Sequence, residues 1–202
     1  MKANRHFFAM ALAVVCLLLT SCIDSKNPLC TPEEAQKAPG LMGVWRSESK
    51  EGNVTYYHVG PAGGKLPDSV MRIVTIEHGK DGTLLPPGQM LAFSSGVGAK
   101  RYLNIAFIDD KDLEQFEQAG WKPDLVKGYL LIQYDVTGDA LTIREMDSHA
   151  KRRVIETKRL QGTIDKNAIF FTDAPQKIAD LLAQPEGQEL FTQKPTRYDR
   201  VK

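Results

Sequence analysis

The sequence predicts a mainly β protein: a single antiparallel β-barrel domain with about three short helices, the alternative being an α+β domain with an open curved sheet. Three observations lead to this. From Leu41 onward, short apolar, β-branched and aromatic runs recur between clusters of Gly, Pro, Asn and Asp, the punctuation of an all-β chain. Leu103, Ile105 and Phe107 alternate with Asn104 and Ala106. Leu130, Ile132, Tyr134 and Val136 alternate with Leu131, Gln133 and Asp135. That period of two is the mark of a strand with one buried face. No long amphipathic helix separates the runs, as a parallel α/β sheet would require.

Taken in order, the chain opens with Lys2 and Arg5 ahead of an apolar run from Phe7 to Leu19. Its roughly 13 residues suit the core of a secretory signal and fall short of the about 20 that a spanning helix needs. Leu19-Thr20-Ser21-Cys22 follows. This stretch resembles the lipobox of bacterial lipoproteins. The resemblance implies cleavage before Cys22, a diacylglyceryl group on its thiol and acylation of the new amine; the alternative is a secreted protein with a cysteine at its cleavage site. At about 0.8 kcal/mol per buried CH₂, two or more chains anchor a protein stably. The residue after the cysteine is Ile23 rather than Asp, which for such lipoproteins implies the outer membrane, on its periplasmic side. Residues 1–21 are thus expected to be a signal peptide, 22–40 a tether, and 41–202 one domain.

The roughly 180 residues after the signal suffice for one domain with a sizeable core. Loss of Lys2 and Arg5 leaves 24 basic against 25 acidic residues, a near-neutral balance without the footprint of a nucleic-acid binder. With Cys16 removed and Cys22 acylated, Cys30 stands alone and has no internal disulfide partner. It is expected to be an exposed thiol or to pair between molecules. Pro28, Pro32 and Pro39 with little apolar surface make 22–40 read as a flexible tether, reaching roughly 20–25 Å. Thr31-Pro32-Glu33-Glu34 has the form of a capping box that could start a short helix.

Strands are expected over Leu41–Ser47, Val54–Val59, Val70–His78 and Met90–Ser95, divided by Glu51-Gly52-Asn53, Gly60–Pro67, Gly79–Gly82 and Pro86-Pro87-Gly88, residues that tolerate positive φ or pre-set a turn. Thr137-Gly138-Asp139 turns the 130–136 strand into Leu141–Arg144. A further hairpin is expected from Thr163 to Phe171 and a closing strand over Arg197–Val201. Helices are expected over Asp110–Gln118, capped by Asp110 or Asp112, over Ser148–Arg159, and after Asp173 as N-cap with Pro175 in the first turn.

Gly43-Val44-Trp45 in the first strand, with a basic residue near the last, resembles the calycin and lipocalin-like barrels. The resemblance implies that Trp45 packs across the barrel base beneath Arg197 or Arg200 as a cation–π pair. Lipocalins proper carry a T-D-Y turn where Thr172-Asp173 is followed here by Ala174. The half from Tyr129 to Arg200 is also similar to a group of uncharacterised bacterial lipoproteins, through Tyr134 to Thr142, Phe171-Thr172-Asp173, Leu190-Phe191 and Tyr198-Asp199-Arg200. That group implies a barrel-like envelope protein and no activity.

Motifs for catalysis are lacking. His58, His78 and His149 form neither H-x-H nor H-E-x-x-H, so no metal site is expected, and no cofactor. Phe93-Ser94-Ser95-Gly96-Val97-Gly98 lacks the G-x-S-x-G frame and reads as a turn between strands. Glu77, Asp135 and Glu145 would be catalytic carboxylates only if the barrel brought them together. Lys151, Arg152, Arg153, Lys158 and Arg159 form a basic helix that would meet an anionic lipid surface, at about 1 kcal/mol per residue, or would be a solvated face. The leading expectation is a lipid-anchored binding protein holding one small apolar or amphipathic ligand, or a lipid. Tyr56, Tyr57, Phe93, Tyr102, Phe107 and Tyr134 would line the pocket, since a barrel of about eight strands can hold such a ligand. The alternative is a structural lipoprotein, without ligand or catalysis, that docks another envelope protein.

Overall fold

The structure, a computed structural model, describes residues 23–166 and 168–202. The expected signal peptide, residues 1–21, and the expected lipidation site Cys22 lie outside the described residues. Eight strands close an antiparallel barrel in the order β1-β10-β7-β6-β5-β4-β3-β2. They are β1 (Gly43–Glu48), β2 (Val54–Pro61), β3 (Val70–His78), β4 (Gly88–Val97), β5 (Lys100–Phe107), β6 (Gly128–Thr137), β7 (Ala140–Arg144) and β10 (Thr196–Arg200). Neighbours in sequence pair as hairpins, and β10 closes the ring by lying between β7 and β1. The Thr163–Phe171 hairpin forms as β8 (Gly162–Ile164) and β9 (Ile169–Phe171), a separate two-stranded sheet outside the barrel.

Four short helices pack around this wall: α1 (Asp110–Ala119), α2 (Ser148–Glu156), α3 (Pro175–Leu182) and α4 (Pro185–Gln188). The first begins at N-cap Asp109, and neither Asp110 nor Asp112 caps it. Lys127 takes the Asp109 carboxylate at 2.5 Å and holds its pKa below the ordinary value. Asp173 does not cap α3 either: Ala174 is its N-cap, and the Asp173 carboxylate accepts instead from the Gln161 N–H (2.5 Å) and from Lys177. Its position before Pro175 resembles a cap, but a long-range donor claims it.

The alternation of each strand splits the apolar residues into two cores. Inward positions of the barrel, such as Trp45, Met71, Ile73, Ile105, Ile132 and Leu141, form one. The other lies outside, where Phe93, Tyr102, Tyr129 and Leu131 on the outer face of β4–β6 meet α1, α3 and the chain around Leu29. One wall of the barrel is therefore buried on both faces, so its strands carry almost no charge. Ser94 and Ser95 fall on opposite faces. The Ser94 hydroxyl meets Tyr134 Oη at 2.7 Å inside the barrel, and Ser95 accepts from Asn104 Nδ2 at 2.9 Å outside it. The strand runs on to Val97, and the turn expected over 93–98 is confined to its end, where Gly98 has φ +58°.

The segment read as a flexible tether is instead a strap along the barrel. Ser25 exchanges backbone hydrogen bonds with Tyr129 (3.0 and 2.7 Å) where β6 outruns the shorter β7, and the Gln36 N–H donates to Ser94 O (2.9 Å) where β4 outruns β3. Both are free barrel edges, and the strap satisfies their backbone groups. Between them the Leu29 N–H donates to the buried Asn104 Oδ1 at 2.8 Å. Thr31 and Glu34 do form the reciprocal capping box, with Glu34 N–H on Thr31 Oγ1 (3.3 Å) and Thr31 N–H on Glu34 Oε2 (3.1 Å), but it closes a single turn.

Candidate functional site

The base of the barrel is built from the strap's end and the two terminal strands. The turn Pro39–Leu41 carries the buried Leu41 under Trp45, whose indole N–H donates to Leu41 O at 2.8 Å. The Arg200 guanidinium lies 4.2 Å over the Trp45 ring and donates to Met42 O (2.6 Å) and Gly40 O (2.7 Å). Trp45 and Arg200 are register partners across β1 and β10, which is why they meet. Arg197 does not share the base: it faces outward, two-thirds exposed, and pairs with Asp199 at 3.0 Å. The strand period sends 198 and 200 inward and 197 out. Gly43 completes the base, because its φ is +124° and a Cβ there would lie 2.7 Å from Arg200 Nη1. Gly43→Ala is therefore expected to destabilise the fold by about 1–3 kcal/mol, read as a lower urea midpoint.

Above the base lies a cavity of about 90 Å³ with purely apolar walls. Trp45 and Leu41 floor it, Met71 and Ile132 flank it, and Met90 and Ile143 lie toward the open end. Tyr57 and Tyr198 meet edge to face at 5.2 Å on its wall. Burial raises the pKa of both phenols, and the neighbouring Tyr57 and Glu145 push Tyr198 further up. Both therefore stay protonated, and the cavity walls present no polar surface to a ligand.

Of the six aromatics expected to line a pocket, Tyr57 lines this cavity. Tyr134 packs in the inner core with its hydroxyl on Ser94, and Phe107 shares the inward register of Leu103 and Ile105 at the strand's open end. Tyr56, Phe93 and Tyr102 lie on the outer face. Tyr56 meets His78 at 6.0 Å, Phe93 meets Trp121 at 5.4 Å, and Tyr102 meets Phe191 at 5.6 Å. The expectation followed aromatic type rather than parity, and parity decides. The aliphatic liners Met71, Ile73, Met90, Ile132 and Ile143 were missed, although their spacing from Trp45 through the hairpins could have found them.

Lys151 does not belong to the exposed basic face of the helix. Lys151, 4% exposed, makes a buried ion pair at 2.5 Å with Asp24, 2% exposed, whose other oxygen accepts the Leu131 N–H at 2.9 Å. Arg152 and Arg153 lie 4.0 Å from Glu156 and Glu189, and Arg159 donates to Gln184 at 2.9 Å. Lys158 is exposed at the helix end with φ +57°. Cys30 is not an exposed thiol: it is half-buried near Ser95, and burial raises its pKa to about 11. Of the three carboxylates, Asp135 faces outward, whereas Glu77 and Glu145 both lie close enough to Tyr57 to help raise its pKa. Among the described residues, no group of three or more His, Cys, Asp or Glu could hold a metal ion.

The molecule thus offers a closed base, an apolar interior and a wall strapped by its own N-terminal segment. Comparison with family models, with curated proteins and with solved structures gives no match for this chain.

Proposed function

We propose that this protein is a lipid-anchored envelope protein, held at the outer membrane through Cys22, whose barrel binds the alkyl chain of one small amphipathic ligand. The cavity carries this reading. An apolar space of about 90 Å³ stays dry, because a water there would find no polar partners, and an alkyl group entering it loses no hydrogen bond. The volume is below the roughly 300 Å³ at which drug-sized pockets begin. It suits the end of one narrow chain rather than a ring system. Met71 and Met90 on its wall are side chains that adapt to a guest.

The test is a native mass spectrum of residues 23–202, exported behind a signal without a lipobox and released gently, then repeated after organic extraction. An extractable adduct of defined mass is the expected result, and Ile73→Phe, which fills the cavity, abolishes it. The same small volume also favours the docking reading, in which the barrel is a rigid support for an envelope partner. A bare mass for the parent chain, with no uptake of added C8–C12 alkyl amphiphiles, would give that reading precedence.

A further inference from the structure

We propose that the open end of the barrel is a bilayer-facing surface, with Leu84 and Leu85 entering the acyl region of the membrane in which Cys22 is anchored. This rests on the anchor reading above.

The fixed point nearest Cys22 is Asp24. Its N–H donates to Tyr129 O at 2.8 Å, and its carboxylate is held by the Leu131 N–H and by Lys151. Tyr129 is the second residue of β6, and Gly128 before it lies at the open end of the barrel, away from Trp45. Ile23 packs on that rim so closely that a Cβ on Gly128 would lie 2.6 Å from Ile23 Cγ2. Cys22 is therefore two residues from the pinned Asp24, a span of at most about 7 Å. The base lies at the other end of the strands, roughly 20 Å away. A bilayer holding the acyl chains of Cys22 meets the rim and cannot meet the base.

The same rim carries the largest exposed apolar side chains of the described residues. β3 runs past β4 there: the Leu85 N–H donates to Glu77 O at 2.9 Å and His78 bridges to Leu84, so the loop stands above the rim as an ordered hairpin. Leu84 is 60% exposed and Leu85 41%, while the other exposed large hydrophobic, Val201, lies beyond β10 at the base end. Ordered leucines held in water are an uncompensated cost that a bilayer removes. Lys80 and Asp81 beside them offset each other in charge, so the contact is apolar and does not require anionic lipid. Met90 and Ile143 lie at the end of the cavity nearer this rim, so the barrel interior opens toward the side on which the bilayer lies.

The experiment uses the full mature lipoprotein from a lipid-modifying host, with Cys30→Ser, in phosphatidylcholine nanodiscs. An environment-sensitive fluorophore is placed at Thr83→Cys on the loop or at Thr137→Cys at the base end, and nitroxide-labelled acyl chains quench it from within the bilayer. Quenching at position 83 should exceed that at 137 at least threefold and fall to the level of 137 when Leu84→Ser and Leu85→Ser are added. Equal quenching at both sites, or stronger quenching at 137, on a protein whose intact mass shows acylated Cys22 overturns the orientation and leaves the anchor standing. An intact mass without acyl chains removes the anchor reading and the orientation with it.

Discussion

Trp45→Ala lowers the unfolding free energy by about 3–5 kcal/mol. Trp45 is fully buried, and three things depend on it: the floor of the inner core, the Leu41 carbonyl that accepts its indole N–H, and the Arg200 guanidinium stacked over its ring. Truncation leaves a void beneath the apolar cavity, an unsatisfied carbonyl and a cation without its aromatic face. Trp45→Phe keeps a ring but loses the hydrogen bond, and should cost about 1–2 kcal/mol. Urea denaturation of the described chain measures both, and a change below about 1 kcal/mol for Trp45→Ala would remove Trp45 from the base.

Lys151→Ala should cost about as much, roughly 3–5 kcal/mol, because it leaves the Asp24 carboxyl buried without its cation. Replacing the pair together, as Asp24→Leu with Lys151→Met, should recover most of the loss, since a buried ion pair is often matched by an apolar pair of similar volume. A double-mutant cycle by chemical denaturation gives the coupling. A double variant as unstable as Lys151→Ala would show that the pair is not what holds the strap. The same site sets a pH dependence. Burial, the larger influence, raises the Asp24 pKa from 3.8 to about 6 against the pull of Lys151. With the folded value above the unfolded one, the folded state binds this proton more tightly. The contribution of Asp24 to stability is therefore full below pH 3.8 and is lost as the pH rises through about 6. Lys151→Met removes the group that draws the pKa down, so the Asp24 carboxyl carbon should titrate at higher pH by NMR.

Each strand of the barrel is legible in the sequence because alternation and turn chemistry act over a few residues. Val70–His78 was expected with the bounds it has, and the Thr137-Gly138-Asp139 turn needs only local φ freedom, with Gly138 at φ +60°. The outer face of β4–β6 hid a second signal. Phe93, Ser95, Tyr102, Asn104, Ala106 and Leu131 all point outward without a charge among them, a face too apolar to be solvated.

The strap shows where local reading ends. Three prolines and little apolar surface make 23–40 look unstructured, because composition reports side-chain burial, and this segment is ordered chiefly by backbone pairing to strand edges. Asp24 and Lys151 lie 127 positions apart, and nothing local marks either as buried. The sequence by itself determined the strands and the hairpin turns, since these depend on periodicity and near-neighbour conformation; a base of Trp45 under Arg197 or Arg200 was implied by resemblance, and register selected Arg200. Only the tertiary structure decided which aromatics face inward, that the barrel encloses a small apolar cavity, and that the N-terminal segment is fixed to the rim. Each of these depends on register and on desolvated contacts between distant parts of the chain.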